Sequence, residues 1–193
     1  MSIKLDLKIF LFLLLFLLTS QVEIYILLMI LACIHEIAHL IMGILLGFKP
    51  QELKITPVGL QIGFRVKCEE YNQRIKKGNT LTIKRAIIAA AGPIINLIMV
   101  IIAITILSND LTYTNIWNTN ITIETFIYAN LLIAFFNLIP IYPLDGGRII
   151  HEILHIAIGL EEADTYTHII SKITIIVLTV VTSIAILYFH NIA

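Results

Sequence analysis

The sequence predicts an all-α polytopic membrane protein: a bundle of about five to six membrane helices with a small β-hairpin at its cytoplasmic side. Three observations point there. Of the 193 residues, 59% are hydrophobic and 13% charged, whereas soluble domains carry about 25% charged residues. The apolar residues gather in runs close to the roughly 20 needed to cross a bilayer. Between two of those runs, one short stretch alternates apolar and polar side chains, the pattern of a half-buried strand. Net charge is zero, so bulk electrostatics gives no reason to expect nucleic acid or an acidic partner. The two cysteines, Cys33 and Cys68, form no disulfide framework.

The apolar run 9–18 follows Lys4 and Lys8 in the manner of a signal peptide. No small-residue cleavage site follows it, and Gln21-Val22-Glu23 leads directly into the next run, so it reads as a retained first helix over 6–20. Longer helices are expected at 22–47, 84–107, 121–138 and 163–189. The apolar stretch 148–160 is too short to span and reads as interfacial or buried. Nine Lys and Arg residues lie from Lys49 to Arg85, and 108–120 carries none. By the positive-inside rule the N-terminus and the 48–85 loop are cytoplasmic. Within that loop, Leu60-Gln61-Ile62-Gly63-Phe64-Arg65-Val66-Lys67 is apolar at every even position. Joined to Leu53–Thr56 through Pro57-Val58-Gly59, it makes 53–67 a membrane-surface hairpin. An exposed edge there could take up an extended peptide by strand addition, which makes Ile62 and Phe64 candidate substrate-binding positions. The hairpin could equally cap the bundle.

The chemistry concentrates in His35-Glu36-Ile37-Ala38-His39, inside an otherwise apolar helix. Ionisable groups at such depth cost about 2.5–3.5 kcal/mol each on insertion scales, so they mark a functional site by default. The H-E-x-x-H spacing puts two imidazoles one turn apart on one face, ready to share a metal, with a carboxylate beside them to take a proton from a bound water. At about 1.5 Å per residue, His35 lies roughly 20 Å along a helix that runs inward, in the cytoplasmic half of the bilayer. The 121–138 helix returns to that level and then breaks at Asn137-Leu138-Ile139-Pro140-Ile141-Tyr142-Pro143-Leu144-Asp145-Gly146-Gly147-Arg148. Irregular backbone at this depth must be buried in protein or line a polar cavity. Asp145 is the carboxylate available as a third ligand, since a catalytic zinc takes three protein ligands and keeps one place open. Its other reading is an N-cap on a helix starting near Arg148. A second H-E-x-x-H, His151-Glu152-Ile153-Leu154-His155, sits on the short helix near water, where such residues cost little. A surface or lining role suits it.

The pairing of HEIAH with the later FNLIPIYPLDGGR resembles the site-2 proteases, zinc-dependent intramembrane peptidases, most of all the stage IV sporulation FB type. Ala91-Gly92-Pro93-Ile94-Ile95-Asn96 is similar to their G-P-x-x-N segment. The resemblance implies one Zn²⁺ per chain held by His35, His39 and Asp145, with Glu36 as general base. It also implies that Asn137 holds the substrate or the active-site loop. A site role for Asn96, as a substrate-binding residue, stands beside a plainer one, close packing and a kink around Gly92-Pro93. The implied reaction is hydrolysis of a peptide bond in or near a transmembrane segment of a membrane-associated protein, such as a transcription-factor precursor. The implied setting is a prokaryotic cell membrane, with the bilayer and a regulatory membrane protein as partners. Neither the CBS nor the PDZ domain of such proteins is recognisable, so 1–193 reads as a single membrane-embedded metalloprotease domain. Two other classes fit less well. A metal transporter needs polar groups on both sides of the midplane, and a catalytically silent binder of membrane segments would not need Glu36.

Overall fold

The computed structural model describes residues 2–5, 15–56, 59–65, 78–108 and 122–190, with side chains described over 15–50, 80–105 and 122–188. Five helices carry the architecture: α1 Val22–Leu45, α2 Gly78–Ser108, α3 Ile123–Leu138, α4 Asp145–Ile158 and α5 Leu160–His190. A helical turn at 15–18 precedes α1. Most of the expected first helix, 6–14, lies outside the described residues, as do the loops 66–77 and 109–121 on which the orientation expectation rests. Three helices are long and apolar enough to cross a membrane, and α3 is a shorter apolar helix. Its 16 residues reach about 24 Å.

The boundaries follow local chemistry. Gly47, with φ of 90°, takes the left-handed conformation that releases the chain at the end of α1, and Lys84 Nζ donates to the free carbonyl of Leu46 at 3.0 Å. Thr122 caps α3, its hydroxyl accepting from Thr125 N–H at 3.2 Å. Gly159, with φ of 96°, separates α4 from α5.

The expected hairpin is present and wider than the sequence suggested. Strand β2 Lys49–Thr56 pairs antiparallel with β3 Gly59–Arg65, starting four residues before the predicted Leu53. A strand was not expected at the N-terminus, yet β1 Ser2–Leu5 pairs in parallel with β2. The sheet order is β1-β2-β3, and β3 packs toward α1.

Helix α2 is central, packed against α1, α3 and α4, while α5 lies mainly on α4. Large apolar side chains face outward all around the bundle, among them Ile101, Leu132, Phe135 and Ile184. The interior is small or polar: Ala89, Ala103, Ala134, Asn96 and Asn130 are buried. This is the distribution expected where lipid is the solvent and helices associate through small side chains and hydrogen bonds. A modest apolar cluster of Leu27, Leu31 and Ala129, with Met99 and Phe126 against it, closes the middle.

The segment between α3 and α4 folds back on itself. Leu144 N–H donates to Ile141 O at 2.8 Å, and Ile141 N–H to Ile139 O at 2.7 Å. Tyr142 N–H donates to the hydroxyl of Ser171 on α5 at 3.0 Å, so this backbone donor is satisfied by protein rather than left open in lipid. The fold-back lies directly on the first turn of α4. A Cβ on Gly146 would overlap the Leu138 carbonyl, and one on Gly147 would meet Ile141 and Tyr142 backbone. Both glycines are therefore required by proximity to backbone that cannot rotate away. Gly146→Ala is expected to cost about 1–3 kcal/mol as an overpacking substitution, seen as a lowered unfolding midpoint in detergent.

Candidate metal centre

Helix α1 carries His35 and His39 one turn apart, both buried, at 2% and 4% exposure. Their rings stand 4.8 Å apart, centroid to centroid, at 81° to each other. Asp145 arrives from the other side at the first residue of α4, also buried. Its Oδ2 lies 3.0 Å from His35 Nε2 and 3.1 Å from His39 Nε2. The three side chains form the one group of His, Cys, Asp or Glu donors suited to a metal ion among the described residues, with all donor atoms within 4.8 Å. Zinc takes imidazole nitrogen and carboxylate oxygen at about 2.0–2.2 Å, so donors around one ion stand roughly 3.4 Å apart. The donor set and its spacing fit such an ion.

Helix α4 begins at Asp145, three residues earlier than the Arg148 start considered from sequence, and Leu144 occupies the N-cap. The Asp145 carboxylate is thus not the cap of this helix and is directed at the two imidazoles. Arg148 NH1 stands 3.9 Å from its other oxygen, Oδ1.

The far nitrogens of both rings are held by acceptors. His39 Nδ1 is 2.7 Å from the carbonyl of Ile88 on α2. A carbonyl only accepts, so Nδ1 carries the hydrogen and Nε2 keeps its lone pair in the neutral ring. His35 Nδ1 is 2.9 Å from Asn96 Oδ1. Hydrogen bonds of this outer kind fix the orientation and tautomer of metal-binding imidazoles. Gly92, one turn from Ile88 on α2, has its Cα against the rings: a Cβ there would overlap Nε2 of both His35 and His39. Pro93 follows it inside the helix. Close approach of α2 to the site thus explains the glycine.

Other expected site residues are placed as follows. Glu36 is half-buried on α1, near enough to His39, His35 and Asp145 to interact with their charges. Asn137 is half-buried at the end of α3, its amide donating to Ile133 O at 3.0 Å. Asn96 is fully buried, its amide shared between His35 and Asn130. The structure places it behind the imidazoles rather than on an accessible surface. The backbone of Ile62 and Phe64 lies in β3, and their side chains lie outside the described ones.

Two features were not read from sequence. Asn130 on α3 is fully buried and bonded to Asn96. It could have been found as a lone amide in the apolar stretch Phe126–Ala134, seven residues and so about two turns before Asn137. Glu152 was expected near water and is instead buried, because α4 packs on both α2 and α5. Its partners explain the difference: Arg85 NH1 at 3.9 Å, His151 Nδ1 at 3.7 Å and His155 Nδ1 at 3.8 Å. His151 Nε2 is 2.7 Å from Asp164 Oδ1 on α5. The two rings of this second H-E-x-x-H are 6.3 Å apart, wider than the first pair, and its contacts tie α4 to α2 and α5.

The sequence model for Peptidase family M50 matches residues 23–116 and 112–181. Stage IV sporulation protein FB of Bacillus subtilis (strain 168) is 27% identical over 117 residues, 61% of this chain and 35% of that protein. A zinc metalloprotease of Methanocaldococcus jannaschii is 28% identical over 125 residues, 63% of this chain and 31% of that protein. The chain thus spans about a third of the length of these curated relatives. The solved site-2 protease of Methanocaldococcus jannaschii superposes with a TM-score of 0.61 at 26% identity, covering 86% of this chain and 72% of that one. With the family model matched over most of the chain, including the helices that carry His35, His39 and Asp145, the chain belongs to peptidase family M50, the site-2 proteases.

Proposed function

We propose that this protein is an intramembrane zinc metalloendopeptidase that cleaves a peptide bond in or near a transmembrane segment of a membrane-associated protein. The observation that carries the reading is the convergence of three buried donors from two helices on one point, with a carboxylate next to them on α1. The family and the three membrane-length helices support a reaction within a bilayer.

In this reading His35 Nε2, His39 Nε2 and Asp145 Oδ2 hold one zinc per chain. When bound, zinc supplies an acidified water and polarises the scissile carbonyl. Glu36 takes the proton from the attacking water and returns it to the leaving amine, as a general base and then acid. Ile88 and Asn96 keep both imidazoles facing inward. Asn137, at the end of α3, holds the substrate or the loop that ends in Asp145.

A transmembrane helix shields its peptide bonds in its own hydrogen bonds and has to be extended before attack. Strand β3 ends the described sheet on one side and packs toward α1, which supports a role for it, through Ile62 and Phe64, in pairing with an extended substrate. The bundle would act as one membrane-embedded unit in a prokaryotic cell membrane, with the N-terminus and site toward the cytoplasm. Membrane-tethered transcription-factor precursors are the proposed substrate class, and a membrane protein is the proposed kind of regulator.

The purified protein is expected to contain about one zinc per chain. His35→Ala, His39→Ala and Asp145→Ala should each lose most of it by elemental analysis, and full retention in Asp145→Ala would place the third ligand elsewhere. Glu36→Gln keeps shape and metal but removes the base. Cleavage of a tagged single-pass substrate in co-expression should then fall by about 10²–10⁴-fold while zinc content is unchanged, and a normal rate would remove Glu36 from the mechanism. His151→Ala and His155→Ala should leave zinc content at the unsubstituted level, because their side chains, engaged with Glu152 and Asp164, belong to no donor group suited to an ion among the described residues. If these two lose zinc while His35→Ala keeps it, the metal belongs to α4.

A further inference from the structure

Behind His35 runs a chain of buried amides whose direction is set at its far end. Phe126 on α3 contributes a carbonyl, which can only accept. Asn130 Nδ2 donates to it at 2.9 Å, so the oxygen of the same amide must face the next group. That group is Asn96 Nδ2, at 3.2 Å from Asn130 Oδ1. The Asn96 oxygen is therefore turned to His35, with Oδ1 at 2.9 Å from Nδ1. Both asparagines are fully buried, at 0% exposure, so no solvent can supply a substitute partner, and a reversed amide would set donor against donor or acceptor against acceptor. The polarity passes from α3 through α2 to α1 without an alternative.

We infer that Asn130 is a positioning residue: anchored on the Phe126 carbonyl, it orients Asn96 so that His35 carries its hydrogen on Nδ1 and offers the Nε2 lone pair to the metal. This rests on the zinc reading given above. Asn130 is one amide removed from the imidazole and touches none of the three donor side chains. Without it, the Asn96 amide can reverse and present its NH₂ to Nδ1, which favours the hydrogen on Nε2 and blocks the coordinating lone pair. His39 needs no such relay, because its Nδ1 meets a backbone carbonyl directly.

The test uses the full chain in detergent, with zinc as the probe in competition with a chromophoric chelator. Asn130→Leu removes the anchor at similar volume and should weaken zinc about ten- to a hundredfold, the range for loss of an outer-shell partner. Asn130→Asp is the conservative variant. Burial this deep keeps the carboxyl neutral, so its O–H donates to Phe126 O while its carbonyl accepts from Asn96, and affinity should stay near the unsubstituted value. A ¹⁵N-histidine spectrum of the zinc-loaded protein supplies a second readout with its own control. General loosening would speed exchange at both rings, whereas His39 Nδ1, held directly by Ile88 O, should stay slow in every variant if only the relay is lost. The His35 Nδ1 hydrogen should exchange slowly with water in the unsubstituted protein and in Asn130→Asp, and quickly in Asn130→Leu. Unchanged affinity and exchange in Asn130→Leu would overturn the inference, as would a zinc-loaded His35 with no hydrogen on Nδ1. Should Asn130→Leu fail to fold, Asn130→Ala takes its place: faster exchange at His35 with His39 unchanged supports the relay, and equally slow exchange at both rings overturns it. A protein that binds no zinc, or binds it undiminished in His35→Ala, refutes the metal reading itself; a protein that binds zinc through His35 but ignores Asn130 refutes only the relay.

Discussion

A helix bundle dissolved in lipid has only its interior in which to place polar groups, and every such group must find a partner there or face a penalty that water cannot relieve. Around the metal centre that constraint is met by one connected cluster. His35, His39 and Asp145 converge within hydrogen-bond distance of each other, and the remaining polar atoms around them are consumed in turn by Asn96, Asn130, Ile88 O and Phe126 O. Four helices contribute to this network, α1 through α4, so it also explains why α2 is central. It supplies the glycine, the proline and the asparagine that bring its backbone and amide to the imidazoles. The apolar core proper is small, and the polar network does much of what a larger apolar core does in a soluble domain.

The second consequence of the constraint is the compact turn between α3 and α4. A chain that must stop one helix, deliver a carboxylate and start another within six residues exposes several backbone donors and acceptors. Here they are used internally or given to Ser171, and Gly146 and Gly147 let the turn lie on the helix it precedes. The position of Asp145 is thus set by backbone packing on both sides, with little freedom for its side chain to search.

Much of this was legible in the sequence because its signals are local. Helices α1, α2, α3 and α5 follow from apolar run length, the hairpin from strict alternation at 60–67, and the first H-E-x-x-H from the cost of charge in an apolar run. Asp145 was reachable by counting depth along two antiparallel helices. What remained hidden depends on partners distant in the chain. Strand β1 is four residues with no alternation to read, and it exists through pairing with β2 some fifty residues away. Glu152 looked like a surface residue because α4 is too short to span and was expected near water, and its burial comes from the packing of α2 and α5 around it. Asn130 has no motif; its role appears only when Asn96 is seen between it and His35.

The nearness of Gly92 to the imidazoles has a consequence for direction of approach. Its backbone forms a wall against the Nε2 atoms of both rings, and α2 continues past it for more than a turn on either side. That flank of the site is closed to anything larger than the hydrogen atoms of a glycine. Anything that reaches the three donors must therefore come from a flank that α2 leaves open.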